Sequence, residues 1–286
     1  DNVLICDLWP QEIAKEMQGL RGSVDLASWQ IFPSSLSSMA DWADIYKDME
    51  RKDESRNRIM IYKSIPNMAP NTIFPVAIRL QGLLRTFRVE RFGNWNGQET
   101  DVHRAVQHVT LSSGGNKKVW DATVSAINLA CEYVSRRLHI PMQGIPYDKD
   151  LYLQRRAFVK VTCLNEPRKT KEPVLTTTED PEGKFFRVQG SWNSLHALRV
   201  AEMLESNKIK SINPVLLTEG DLVDVGAELD FVINRDRHAR TVLKCFLTCT
   251  YVVRLISASR VQSLNLVNSF YYTLSTDLTI IRTIRR

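Results

Sequence analysis

The strongest constraint on the fold is a period-two alternation of apolar residues in the C-terminal third of the chain. Every second residue along Leu243–Leu255 is apolar, and the same alternation runs along Val225–Ile233. A helix would spread these residues around its axis, whereas a strand points them all to one side. The pattern predicts two strands, each with one buried face, and their short connection at Asn234–Thr241 predicts antiparallel pairing.

A third alternating run follows along Phe270–Ile284, where apolar residues again share one face of a strand. We therefore expect an antiparallel β module from Leu222 to Ile284. Two more alternating segments lie upstream, at Ile59–Ile65 and Phe74–Leu80. The chain as a whole is predicted to be rich in β structure.

Two longer segments instead carry apolar residues at spacings of three and four, which is the period of a helix. The first runs from about Lys117 to His139, and basic residues followed by Pro141 mark its C-terminal end. The second runs over 191–207, with Ser191 as its N-cap. The expected fold class is α+β: a β-rich antiparallel sheet or sandwich with two inserted amphipathic helices and a short helical N-terminal segment.

That N-terminal segment, residues 1–56, is predicted to be acidic and helical. Pro10 stands at the start of one expected helix, and Ser38 caps another that runs along Met39–Arg51. The remaining residues, 57–286, are expected to form the β-rich domain that contains both longer helices.

Charge is distributed unevenly between these two parts. The chain has a net charge of +6, yet residues 1–50 contain nine acidic and three basic residues, so their balance is −6 and the remainder carries +12. A chain polarised in this way can attract an anionic partner, or a second copy of itself through its oppositely charged ends. The alternative is that these charges cluster by chance on solvated surfaces.

The cysteines and the hydropathy pattern bear on location. Five cysteines, an odd number, are spread from Cys6 to Cys249, which argues against a disulfide framework and favours a reducing compartment. No apolar run approaches the ~20 residues that span a bilayer. We therefore expect the protein in the cytoplasm or nucleus of a host cell, or in a virion.

The sequence has no recognisable motif for catalysis, metal binding or nucleotide binding. The loop Ser112–Lys118 precedes the best helix but has neither the phosphate-loop nor the dinucleotide glycine spacing. Cys245 and Cys249 would lie about 13 Å apart along a strand, too far to share one metal ion. We accordingly predict no catalytic residue, no metal site, no cofactor and no small-molecule substrate, and assign both cysteines to the core.

What remains is basic chemistry interleaved with aromatic residues, which suits phosphates and bases. The densest basic group is the connection between the two C-terminal strands, whose cationic and titratable side chains would repel one another unless an anion faced them. The predicted residues for binding nucleic acid or another anion are Arg155, Arg156, Lys160, Arg168, Lys169, Lys171, Arg235, Arg237, His238, Arg240, Arg282, Arg285 and Arg286. A further group, Arg85, Arg88 and Arg91, ranks lower, because strand alternation places Arg88 on the face opposite to the other two.

Three classes of function fit this sequence. The favoured hypothesis is a non-enzymatic viral structural protein, of capsid or matrix type, that self-assembles and contacts RNA or nucleoprotein through basic loops. An anionic membrane surface is a further expected partner. A cellular nucleic-acid-binding module and an enzyme with a dispersed active site are the alternatives. The first class predicts homo-oligomers, the second salt-sensitive binding, and the third titratable residues that converge in one pocket.

Overall fold

The structure is a computed structural model that describes residues 13, 27–47, 58–66, 72–143, 150–161, 175 and 180–264. It is a mixed α+β fold, dominated by a large sheet with few helices. The described strands, numbered in chain order, are β1 (Ala43–Lys47), β2 (Arg58–Tyr62), β3 (Ala77–Arg88), β4 (Val106–Ser112), β5 (Asp150–Arg156), β6 (Phe158–Lys160), β7 (Trp192–Ser194), β8 (Arg199–Met203), β9 (Ile209–Ser211), β10 (Leu222–Arg235) and β11 (Thr241–Ile256). The described α-helices are α1 (Leu36–Trp42), α2 (Lys117–Leu138) and α3 (Ala258–Ser263), and short 3₁₀ helices lie at Ser28–Gln30, Glu99–Arg104, Phe185–Arg187 and Pro214–Leu216.

Five strands close into a barrel at the centre of the fold. The large sheet has the order β1-β2-β10-β3-β4-β5-β11-β8-β9, and β10 pairs in addition with β11. That pairing closes a ring of β10, β3, β4, β5 and β11, in which neighbours are antiparallel except for β5 and β11. A five-stranded Greek-key barrel of this kind is the architecture of the OB-fold. Within the described residues the sheet thus curls on itself, and the sandwich alternative predicted from the sequence is not what forms.

The longest strands of this barrel are β10 and β11, which form one antiparallel hairpin. Both strands predicted around residues 222–256 are present and pair antiparallel along their length. The first half of β10 is buried on both faces, and Asp224 is fully buried there. This differs from the single buried face that alternation predicts, because Leu222 packs in a second apolar cluster with Val119, and Arg79 and Gln81 bond to Asp224. The third predicted run, Phe270–Ile284, lies outside the described residues.

Helix α2 agrees with the helix predicted from apolar spacing at Lys117–His139. Asn116 caps it, since its side-chain oxygen accepts a hydrogen bond from the backbone N–H of Val119 at 3.3 Å. His139 ends it in the left-handed conformation, with a φ of 56°. Its apolar face packs into the same core cluster as the interior of the barrel.

The helix predicted over 191–207 is wrong. This segment forms β7, a loop and β8, and Ser191 caps no helix. β8 runs parallel to Tyr251–Arg254 of β11 and fills the edge that β11 offers beyond β5. The pairing of backbone groups with a strand distant in sequence therefore outweighs the local spacing of apolar side chains.

The N-terminal segment is also less helical than expected where it is described. Ser35, rather than Ser38, caps α1, and the helix ends at Trp42. Residues Ala43–Lys47, predicted to continue that helix, form β1 and pair with β2 as part of the large sheet. The helix predicted at Pro10 lies outside the described residues.

Candidate nucleic-acid interface

β3, β4 and β5 lie side by side in the barrel, and their side chains alternate between its interior and its outer surface. In β4, Val109 is buried, whereas His108 and Thr110 face outward. The outward residues of β5 are in register with them: Tyr152 pairs with Thr110, and Gln154 pairs with His108. These side chains form one surface, called here the β3–β5 face, which consists of Arg85, Thr86, Arg88, His108, Thr110, Tyr152, Gln154 and Arg156.

A bulge in β3 brings two arginines to this face. Leu84 and Phe87 are three positions apart in β3, but they pair with residues only two positions apart in β4. Both side chains therefore pack toward the core, and Arg85 and Arg88 line the same outer cleft. The prediction that alternation separates Arg85 from Arg88 is wrong, because alternation holds only along an uninterrupted ladder.

An aromatic pair occupies the centre of the face. The ring centroids of His108 and Tyr152 lie 5.4 Å apart, with the planes tilted by 31°, and Tyr152 is 40% exposed. Burial lowers the pKa of His108, and the charge of Arg88 lowers it further, although Glu90 acts in the opposite direction. The imidazole is therefore mostly neutral at pH 7, and the pair presents uncharged ring surface to solvent.

A cleft of about 490 Å³ lies beside this pair. It is lined by Arg85, Thr86, Phe87, Arg88, Asn94, His108 and Glu219. Two contacts hold its rim: a guanidinium nitrogen of Arg85 donates to Asp150 Oδ2 at 2.9 Å, and the hydroxyl oxygens of Thr86 and Thr110 lie 2.9 Å apart. A cleft of this volume is within the range that a nucleotide-sized ligand fills.

The connection between β3 and β4 supplies one wall of the cleft through Asn94. Its side-chain oxygen accepts a hydrogen bond from the backbone N–H of Val106 at 2.9 Å, which leaves the amide nitrogen as a donor. The connection is anchored by stacked rings, since Phe92, Phe158 and Phe185 lie with centroids 5.8 to 5.9 Å apart. This aromatic cluster makes the wall a packed part of the fold rather than a loose loop.

The tip of the β10–β11 hairpin carries four of the predicted residues, Arg235, Arg237, His238 and Arg240, and all four are exposed. Asp236 lies among them and accepts hydrogen bonds from Arg240 Nε at 2.9 Å and from the backbone N–H of His238 at 2.8 Å. Burial raises the pKa of the Asp236 carboxyl, but the hydrogen bonds and the charge of Arg240 outweigh it and lower this pKa. The expected repulsion within the tip is thus partly relieved by an internal anion, while the tip keeps a net positive charge.

Two of the three basic residues predicted on β5 and β6 face solvent. Arg156, at the end of the β3–β5 face, and Lys160, on β6, are exposed. Arg155 points elsewhere: its Nε donates to Gln107 Oε1 at 3.1 Å, and a second nitrogen donates to the carbonyl of His196. Burial lowers the pKa of this arginine. Its charge therefore serves contacts inside the fold.

Six predicted residues lie outside the described part of the chain, and their assignment stays a prediction. They are Arg168, Lys169, Lys171, Arg282, Arg285 and Arg286.

Other expected features can be located. Over the described residues, no group of three or more potential metal ligands is found. Cys249 is buried and Cys245 packs against the same core cluster, as their alternation predicts. No helix among the described residues is long and apolar enough to cross a membrane.

Sequence reasoning missed the centre of the interface. Neither His108 nor Tyr152 is among the binding residues predicted from the sequence. The signal that could have found them is the polar and aromatic outer face of β4 and β5, which alternates with buried Leu151 and Leu153. That signal becomes specific only when the pairing of the two strands is known.

Comparison with known proteins finds a distant structural likeness. No family model matches the sequence, and no curated protein is similar to it. Among solved structures, gp2.5, a single-stranded DNA-binding protein encoded by bacteriophage T7, aligns with 64% of this chain and 92% of its own, at 14% identity and a TM-score of 0.35. A TM-score below 0.5 does not establish a shared fold.

Proposed function

We propose that this protein is a non-enzymatic nucleic-acid-binding protein that holds a single strand on the β3–β5 face. The observation that carries the proposal is the His108–Tyr152 ring pair on an outward barrel face. Arg88 lies directly opposite His108 on β3, and Arg156 lies four residues beyond Tyr152 on β5. Arginine forks bind phosphates, and neutral rings offer surfaces on which bases stack. The outer surface of the corresponding strands is where OB-fold barrels bind oligonucleotides.

A single strand suits this face better than a duplex. Bases in a duplex are already stacked on one another, so their flat surfaces are unavailable to Tyr152. The exposed positive charge is also divided between the β3–β5 face and the tip of the β10–β11 hairpin, whereas a duplex would need it spread along a groove. A flexible strand can place bases on the rings and phosphates on the flanking arginines at the same time.

The hairpin tip extends the proposed path. β5 and β11 are parallel, with Leu153 level with Leu247. Thr241, where β11 begins, therefore lies on the side away from Arg156, roughly 30 Å from it at ~3.3 Å per residue. Exposed cations stand at both ends of this path and the ring pair lies between them. A path of this length suits a strand of several nucleotides, as single OB barrels accommodate.

The proposal is tested by fluorescence anisotropy with a labelled single strand and its duplex. Tyr152→Ala should weaken single-strand binding about 10-fold, because one base–aromatic stack contributes roughly 1–3 kcal/mol. Arg156→Ser should weaken binding and reduce the slope of log K against log salt by about 0.7, the value for one phosphate contact, since Arg156 is exposed at the end of the face. Lys208→Ser is the matched control, since Lys208 is exposed in the β8–β9 turn, and it should bind as the wild type does.

Thermal melts of the three variants should coincide with that of the wild type, because each side chain is at least partly exposed. A preference for duplex, an absence of binding, or unchanged binding by Tyr152→Ala would contradict the proposal.

The role of a virion shell or matrix protein, predicted from the uneven charge of the sequence, stays a prediction. Light scattering across ionic strength, with and without the single strand, separates it from the proposal above. Large, salt-sensitive assemblies of the protein alone would favour the shell. A monomer that binds the strand would favour a nucleic-acid-binding role alone.

A further inference from the structure

Glu219 is an unexpected member of the cleft on the β3–β5 face. A carboxylate repels phosphate, yet Glu219 lines the same cleft as Arg85 and Arg88. Its side chain is exposed and forms no hydrogen bond or ion pair with other residues of the described ranges, whereas Arg85 is already paired with Asp150 at 2.9 Å. The cleft therefore holds an acceptor group that no side chain of the described fold uses.

A rigid turn fixes Glu219 in this position. The backbone N–H of Gly220 donates to the carbonyl of Leu84 at 2.7 Å, and the N–H of Leu84 donates to the carbonyl of Asp221 at 2.8 Å. Asp221 closes the turn, since its side chain accepts a hydrogen bond from the N–H of Thr218 at 2.9 Å. The turn is thus bonded to the start of the bulge in β3, which fixes the backbone of Glu219 beside the cleft.

We propose, on the basis of the function proposed above, that the cleft selects guanine within the bound strand. Guanine presents two neighbouring donors, N1–H and the N2 amino group, which one carboxylate can accept together. It also presents two acceptors, O6 and N7, which suit an arginine fork. Glu219 and Arg88 supply this acceptor and this donor, and Asn94 adds an amide donor whose orientation is set by its bond to Val106.

The other bases match the cleft less well. Adenine and cytosine each offer a carboxylate a single exocyclic amino group, and uracil or thymine offers a single imino N–H. A carboxylate left near their carbonyl or ring-nitrogen acceptors would be repelled. Selection by a carboxylate at this point therefore follows from the count of adjacent donors on each base.

The test uses the intact chain and single strands of about 12 nucleotides: a thymine tract, and the same tract with one central guanine, cytosine or adenine. Anisotropy competition should show that the strand with guanine binds about 10-fold tighter than the thymine tract. Glu219→Gln should reduce that ratio to about 2-fold or less. Binding of the thymine tract should stay the same or become tighter, because the variant removes a negative charge. Glu205→Gln, a matched change on the exposed β8–β9 turn, should keep the full preference.

The outcomes separate this inference from the proposed function. Binding of every tract without preference, a preference for cytosine, or a guanine preference that survives Glu219→Gln would overturn guanine selection and leave single-strand binding intact. Failure to bind any of the tracts would overturn both.

Discussion

Replacement of Asp224 by alanine is expected to destabilise the protein by about 3–5 kcal/mol. Asp224 is fully buried in β10, and its carboxylate accepts hydrogen bonds from Arg79 Nε at 3.1 Å and from Gln81 Nε2 at 2.7 Å. Arg79 is itself only 13% exposed, and its Nη2 lies 3.0 Å from the same carboxylate. The variant removes the anion from beside a guanidinium that stays largely out of water, which is the costly way to break an ion pair.

A double variant separates this explanation from a simple loss of packing. Arg79→Met with Asp224→Leu removes both charges and keeps apolar volume, so it should lose little stability or gain some. Tyr251 provides a second readout, because burial raises its pKa to about 12 and the charge of Asp224 contributes to that rise. In Asp224→Ala the pKa of Tyr251 should fall toward 10.

Urea unfolding followed by tryptophan fluorescence measures the free energies of unfolding, and an alkaline absorbance titration measures the pKa of Tyr251. A loss below about 1 kcal/mol in Asp224→Ala, the size of a solvent-exposed pair, would refute the reasoning. So would a double variant that is as unstable as the single one, since the unpaired charge could then not be the cause.

Two further predictions concern pH and the hairpin tip. Because burial and Arg88 lower the pKa of His108 from 6.5, folding stability should decrease as pH falls from above 6.5 through the lowered pKa, while the added charge tightens single-strand binding. Anisotropy between about pH 7.5 and 5 should therefore show a steeper gain for the wild type than for His108→Gln, and parallel curves would refute this. Replacement of Arg235, Arg237 and Arg240 by serine should reduce the salt slope of binding by about 2 with little change in Tm, whereas a large loss of Tm would show that the tip is structural.

The parts of the fold that follow from the sequence are those whose stability depends on neighbours in the chain. The alternation along β10 and β11 and the short connection between them are sufficient to predict an antiparallel hairpin. Likewise, the spacing of apolar residues, with basic residues and Pro141 at the C-terminal end, predicts α2, because the hydrogen bonds of a helix are local. The exposed cations of the tip also follow, since a hairpin turn has no core to enter.

The parts that the sequence does not predict depend on which strands become neighbours. Residues 191–207 have helical spacing, yet β8 forms because β11 offers an unpaired edge there. Asp224 has the alternation of a solvent-facing residue but is buried, because Arg79 and Gln81 on β3 meet it across a pairing more than a hundred residues distant in sequence.

The candidate interface likewise depends on which strands become neighbours. The basic residues of the tip are visible in the sequence, whereas the His108–Tyr152 pair joins two strands between which α2 is inserted, and one extra residue in β3 turns Arg85 and Arg88 to a common side. Composition and periodicity determined that this chain forms strands with exposed positive charge. Tertiary pairing decided which rings and charges share one surface, because hydrogen bonds between distant strands, and not the periodicity of one strand, set the register.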